Sequence, residues 1–256
     1  MYFSMDEIGF ENTEKIKKIP LEADRWKFIY DVAKTYGFEG IHLTPSLYSK
    51  EFELDIENIP AYYQDFKLTL HYEAFGKTFT KYFDIALQNN MHDISVHPPG
   101  NGTTAEERDA LRSSFCRAID KWLPIAIKNG ISLSLETHVF GECFLFNGLS
   151  EFVAFTDQYP DLGILIDVSH NYYNPQYSEE DMIKILSGKN VKGLHISDAL
   201  RNAEFKSGTH LAIGDGEIDF PKLLKGFNNI PNLYAALEIK ASNDGVAKSL
   251  QMLQDI

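Results

Sequence analysis

The chain has 256 residues, 44% of them hydrophobic and 24% charged, enough apolar material for one large core. Its net charge of −13 weighs against general nucleic-acid binding, because phosphate backbones attract basic surfaces. No apolar run approaches the roughly 18 residues of a membrane span, residues 1–10 lack the basic and apolar regions of a signal peptide, and Cys116 and Cys143 form neither a CxxC motif nor a disulfide framework, so a cytoplasmic protein with two small buried thiols is expected.

Strand-like runs alternate with amphipathic segments from end to end. Residues 2–5 open the chain as a strand. Trp26, Ile29, Tyr30, Ala33 and Tyr36 form a helical stripe over residues 22–36, and Gly37 ends it. Gly40-Ile-His-Leu is the second strand. Residues 56–66 read as a helix begun or broken by Pro60. Lys67-Leu-Thr-Leu-His71 is the third strand, followed by a helix over 77–88. Asp93-Ile-Ser-Val-His97 is the fourth, closed by Pro98-Pro99-Gly100. Thr104 and Glu107 have the spacing of a capping box and open a helix reaching Asn129, which Pro124 should kink or divide. Strands over 131–135, 164–166, 191–196 and 234–239 follow, with helices over 151–158, 179–186, 221–227 and 246–253. Eight such units without a linker predict a parallel sheet. Their number predicts closure into one (β/α)8 barrel over residues 1–256, with its site at the C-terminal strand ends. A doubly wound sheet would carry a glycine-rich phosphate loop after its first strand, and none is present.

The strand ends carry one type of chemistry. Strands three and four end in His71 and His97. Strand five ends in Glu136, with His138 two residues on. Strand six ends in Asp167, with His170 beyond it. Strand seven carries His195 and then Asp198, and strand eight carries Glu238 with Lys240 two residues later. The loop after strand seven holds Arg201, His210 and Gly214-Asp-Gly216, the last read as a turn and not as a phosphate loop. Only His92 of the eight histidines clearly falls at the opposite end. Carboxylate oxygens and imidazole nitrogens are ligands for Zn, Mn, Co or Mg. Burying several carboxylates together is costly unless a cation offsets their repulsion. The set therefore predicts a divalent-metal site. His42 is placed either at the pocket or against the helices. Asp198 is expected to orient His195 or a loop group. Tyr172 and Tyr173, and more weakly Phe75 and Phe140, are candidates for a stacking wall beside the site.

The pieces LSLETH, ILIDVSH, LHISDALR, HLAIGDGEIDF and ALEIK resemble the xylose isomerase-like barrel superfamily, which holds sugar isomerases and epimerases together with endonuclease IV-type enzymes. The resemblance to its ketose epimerases implies one metal held by Glu136, Asp167, His195 and Glu238. It implies that Glu136 and Glu238 also move the substrate proton, and that His170 and Arg201 contact substrate oxygens; from position alone, Tyr172 and Lys240 are further substrate-binding candidates. The resemblance to the endonuclease IV type implies added metal ligands: His71 and His97 match one pair, and His170 and His210 match part of a third site. Its aspartate position is Gly208, so that third site is incomplete.

Two functions follow from the resemblance. The first is a metal-dependent isomerase or epimerase of a sugar or sugar phosphate, acting through a stabilised enediolate. The second is a di- or trinuclear zinc phosphoesterase, acting on a small phosphoester in preference to abasic DNA. One to three ions are expected, Zn or Mn before Mg or Co, and the chain is compatible with a homo-oligomer.

Overall fold

The computed structural model describes residues 1–6, 15–45, 52–72, 75–76, 78–100, 104–138, 140–141, 144–173 and 177–256. Cys143 lies outside these residues, and Cys116 is half-buried and unbridged. In chain order the elements are β1 (Tyr2–Asp6), α1 (Glu22–Tyr36), β2 (Gly40–Leu43), β3 (Lys67–Tyr72), α2 (Phe79–Gln88), β4 (Asp93–Val96), α3 (Ala105–Lys128), β5 (Ser132–Glu136), α4 (Leu149–Thr156), β6 (Gly163–Asp167), α5 (Val168–Tyr173), α6 (Glu179–Leu186), β7 (Val191–Ile196), α7 (Phe205–Gly208), α8 (Phe220–Phe227), β8 (Tyr234–Leu237) and α9 (Asn243–Gln254). Each strand pairs in parallel with its sequence neighbours, and β1 pairs with β8 to close the barrel. The predicted (β/α)8 architecture is the observed one. Among the described residues, no helix is long and apolar enough to cross a membrane.

Alternation along each strand divides two environments. Ile41 and Leu43 on β2, Leu68 and Leu70 on β3, and Ile164 and Ile166 on β6 belong to the main core between sheet and helices. The alternate positions Gly40, His42, Thr69, His71, Leu165 and Asp167 turn inward. Near the N-terminal end the interior is closed by Tyr2, Leu165, Tyr234 and Ala236, a small cluster separate from the main core. Tyr234 needs room to cross the barrel, and Gly193 on β7 supplies it: a Cβ there would collide with the Tyr234 ring.

Two local expectations are refined. Residues 56–66 are broken at Pro60, as one reading had it, but into two short 3-10 turns, Ile56–Asn58 and Ala61–Asp65, and not α-helix. Pro60 forces an extended conformation on Ile59 (ψ 124°), which ends the first turn. The helix over residues 105–128 runs through Pro124 undivided. Its capping box forms as expected, with Thr104 Oγ1 accepting from the Glu107 amide at 3.1 Å and Glu107 Oε2 accepting from the Thr104 amide at 2.9 Å.

Asp93 lies inside the barrel, where Ser134 donates to Oδ2 at 2.5 Å and the Tyr234 hydroxyl donates to Oδ1 at 2.9 Å across the interior. Burial pushes its carboxyl up to about 6, and the hydroxyl donors reverse this only in part. A carboxyl raised on folding stabilises the native state below its unfolded pKa, near 3.9, and that stability is lost as pH rises through 6. Urea unfolding should therefore show Asp93→Asn gaining roughly 2–3 kcal/mol on the wild type between pH 4 and pH 7.5. A pH-independent difference would contradict this account.

Candidate metal centre

The C-terminal strand ends converge on a buried set of imidazoles and carboxylates. Every histidine except His92 belongs to it, through one continuous run of neighbours. His42 Nε2 lies 3.0 Å from His195 Nε2, and the His42 ring stacks on His71. His71 Nε2 lies 2.8 Å from His97 Nε2, the His97 ring lies against His138, and the His138 ring against His170. His170 Nε2 lies 3.1 Å from His210 Nε2. His92 lines a hollow at the opposite end with Glu39, Asp65 and Lys67.

The carboxylates are threaded through these rings. Glu136 Oε2 stands 2.7 Å from His97 Nε2 and 3.4 Å from His71 Nε2, while Oε1 stands 3.2 Å from His195 Nδ1. Glu238 Oε2 lies 3.1 Å from the same His195 Nδ1, and Oε1 lies 3.6 Å from His210 Nδ1. Asp167 has its two oxygens in separate roles. Oδ1 accepts from the His170 amide at 2.8 Å and from Ser169 Oγ at 3.1 Å, capping the N-terminus of α5. Oδ2 faces His170 Nδ1 at 3.2 Å. The DVSH sequence thus starts a helix and turns a carboxylate oxygen toward the cluster with one side chain.

Neighbouring hydroxyls and amides hold this arrangement. Ser95 Oγ donates to the Leu70 carbonyl at 3.4 Å and so accepts from His71 Nδ1 at 2.9 Å, leaving His71 Nε2 without a proton to face Glu136 and His97. Thr137 Oγ1 accepts from the Asp167 amide at 2.9 Å and from Asn171 Nδ2 at 2.5 Å, tying the end of β5 to that of β6. His210 sits in the left-handed region at φ 57°, and its carbonyl accepts from the Lys240 amide at 2.7 Å.

Burial and charge act against one another here. Burial alone would raise the Glu136 carboxyl, yet His97, His195 and His71 together hold it well below the usual range. Glu238 is likewise lowered, against burial, by His210 and His195. Burial pushes Asp167 up to about 6, and the Glu238 and Glu136 charges push the same way. Burial brings His71 down to about 3, and His138 and His170 down to about 4. His97 and His195 are also pressed down by burial, but the adjoining Glu136 carboxylate outweighs it and raises both.

These residues fit a divalent cation. Glu136 Oε2, Asp167 Oδ2, His170 Nδ1 and His195 Nδ1 are buried without an aligned hydrogen bond. Ligand atoms of Glu136, Asp167 and His195 lie within 4.8 Å of one another, as do those of His71, His97 and Glu136, and of His42, His71 and His195. Ligands about 2.0–2.1 Å from a tetrahedral ion stand roughly 3.3 Å apart, the spacing of the contacts above.

Several expected residues lie elsewhere. The Arg201 guanidinium packs 4.2 Å over the Tyr172 ring and donates to the Tyr177 carbonyl at 3.2 Å. Tyr172 is buried beneath it, its hydroxyl donating to the Glu217 carbonyl at 3.3 Å, so it is no open wall. Lys240 is exposed at the rim. Phe75 packs on Phe79 and Phe115, and Phe140 near Phe152 and Tyr177, within the helix layer. Asp198 orients the loop and not His195. It accepts from the amides of Ala199 at 2.9 Å, Gly214 at 2.9 Å, Gly216 at 3.0 Å and Ile218 at 3.1 Å. A Cβ at Gly216 would strike that carboxylate, which explains the Gly214-Asp-Gly216 turn. Phe205, 5.2 Å from the His170 ring, was not anticipated, since a phenylalanine in a long loop carries no spacing signal. His42 had one: Ile41 and Leu43 occupy the helix-facing side of β2, so His42 must face inward.

If the centre takes a cation, Zn2+ or Mn2+ at a hundredfold excess over Kd stabilises the fold by about 2.7 kcal/mol. At roughly 2–4 °C per kcal/mol, the melting temperature should rise by about 5–10 °C and return on adding EDTA. No shift with any of Zn2+, Mn2+, Co2+ or Mg2+ would remove the metal assignment.

Solved structures share this fold. A D-tagatose 3-epimerase-like protein superposes with a TM-score of 0.73 at 16% identity, covering 100% of this chain and 96% of that one. The IolI protein with a bound zinc atom gives 0.71 at 13% identity, covering 99% and 96%. D-psicose 3-epimerase in the presence of D-fructose gives 0.69 at 12% identity, covering 100% and 99%. No curated sequence matches the chain. Residues 30–256 match the xylose isomerase-like TIM barrel family, and the chain belongs to it.

Proposed function

We propose that the protein is a divalent-cation-dependent enzyme that isomerises or epimerises a sugar or sugar phosphate by moving a proton at a carbon next to a carbonyl. The observation that carries this reading is the placement of two carboxylates, Glu136 and Glu238, from β5 and from the end of β8, on one His195 nitrogen at 3.2 and 3.1 Å. Likeness of fold to sugar epimerases supports it. Glu136, Asp167, His195 and Glu238 would hold the cation. Such an ion, when bound, supplies Lewis-acid polarisation of the substrate carbonyl.

The side chains divide the remaining work. Both glutamates are held in the ionised form that a general base requires, by the imidazoles around them. Glu238 is 20% exposed against 2% for Glu136, so Glu238 meets an entering substrate first. One glutamate takes the α-proton as a carboxylate, and the other, having first taken up a proton from solvent, returns that proton to the second face of the planar enediolate. His170 and His138 border the opening and are kept neutral largely by burial, so either ring can hydrogen-bond a substrate hydroxyl without adding charge. Arg201 reaches a substrate anion only by leaving the Tyr172 ring.

A second reading is favoured by one specific set, His71, His97 and Glu136, which a one-cation epimerase does not require. With a second cation there, Glu136 would lie between two ions, the arrangement of a phosphoester hydrolase. The net charge of −13 argues for a small phosphoester over a nucleic acid as its substrate.

Two variants test these readings. Glu238→Gln should lower kcat by about 100- to 10,000-fold on any accepted ketose, as loss of a general base does; retained turnover would sink the assignment. His71→Ala combined with His97→Ala separates the two reactions. Under the isomerase reading the double variant keeps one cation per chain and incorporates solvent deuterium into a ketose substrate. Under the hydrolase reading it loses a cation and all phosphodiester cleavage.

A further inference from the structure

We propose that His42 is a positioning residue for the metal centre, fixing His195 in the tautomer whose Nδ1 is free to bind a cation. The inference rests on the cation reading above and concerns a side chain outside that ligand set.

His42 is fully buried and its ring nitrogens have one partner each. Nδ1 lies 2.6 Å from Thr69 Oγ1 on β3, and Nε2 lies 3.0 Å from His195 Nε2 on β7. A nitrogen–nitrogen contact of that length carries one hydrogen, so one ring donates and the other accepts. His195 Nδ1 is the atom facing Glu136 and Glu238. For that atom to offer a lone pair, the His195 proton must sit on Nε2, donated to His42 Nε2. Neutral His42 then carries its own proton on Nδ1, donated to the Thr69 hydroxyl. The three residues form a one-directional chain of donors from His195 through His42 to Thr69 on the strand wall.

The choice of an imidazole at this position follows from charge. A carboxylate or a backbone carbonyl is the common partner of a metal-binding histidine. Glu136, Asp167 and Glu238 already crowd the same interior, and a fourth carboxylate would add to their repulsion. The backbone carbonyls of the surrounding strands are engaged in the sheet. A neutral acceptor with its own fixed donor orients His195 without adding negative charge. The ring contacts of His42 with His71, His195 and Tyr234 prevent it from turning away.

The test uses the full chain and zinc alone as the probe, by competition with a chromophoric chelator. His42→Leu removes the acceptor, and His42→Gln returns an acceptor oxygen to about the place of Nε2. Zinc affinity should fall about 10- to 100-fold in His42→Leu, the range for loss of such a partner, and recover to within about threefold of the wild type in His42→Gln. Both metal-free variants should melt near the metal-free wild type. The nitrogen-15 signals of His195 in the zinc-loaded wild type should show Nε2 protonated and Nδ1 bare, a readout that needs no variant to fold. Wild-type affinity in His42→Leu, or equal loss in both variants, would overturn the proposal. So would an Nδ1-protonated His195 in the zinc-loaded protein. Failure of the wild type to bind zinc or any other divalent cation would instead remove the cation reading on which the proposal stands.

Discussion

Three carboxylates meet in a buried space at one end of this barrel, and their mutual repulsion is the constraint the rest of the site answers. Glu136 is 2% exposed and Asp167 1%, so water screens neither. The surrounding imidazoles offset part of the charge, enough to keep Glu136 and Glu238 ionised but not enough to keep Asp167 in its ordinary range. Burial works against the remedy, because it also disfavours charge on His71, His138 and His170. A divalent cation would resolve the conflict, since it neutralises carboxylates while accepting neutral imidazoles as ligands.

The scaffold braces the residues of the cluster with neighbouring side chains and amides. Asp167 caps a helix with one oxygen and keeps the other for the site. Ser95 fixes the tautomer of His71, and Thr137 joins the strand ends that carry Glu136 and Asp167. Beyond them, Asp198 gathers four backbone amides and shapes the loop that delivers His210. Sites held by hydrogen-bonded neighbours on strands keep their geometry better than sites held on loops alone.

The fold was legible because parallel strands covered by helices leave unbroken aliphatic runs, as in Ile164-Leu-Ile, and because chemistry on such a barrel collects where those runs end. That is why His71, His97, Glu136, Asp167, His195 and Glu238 could be read from their positions alone and are found together. In residues 56–66 the break at Pro60 was legible, whereas the pieces it leaves are too short for apolar spacing to tell 3-10 turns from α-helix. Arg201 and Tyr172 fell outside the cluster because a loop side chain's direction is decided by packing: the guanidinium found an aromatic face and a carbonyl. The inward position of His42 was readable from Ile41 and Leu43, whereas its partner is 153 residues away in sequence and visible only once the barrel closes.

Tyr234 spans the barrel to Asp93, with Tyr2, Leu165 and Ala236 packed beside it, and among the described residues this plug closes the N-terminal end of the interior. Under the proposed reaction, substrate, product and water would share the C-terminal end. A molecule bound above the glutamates would stand between them and bulk water for as long as it stays. The glutamate that gave a proton would then regain one from solvent only after that molecule departs, which is how solvent hydrogen would enter a product.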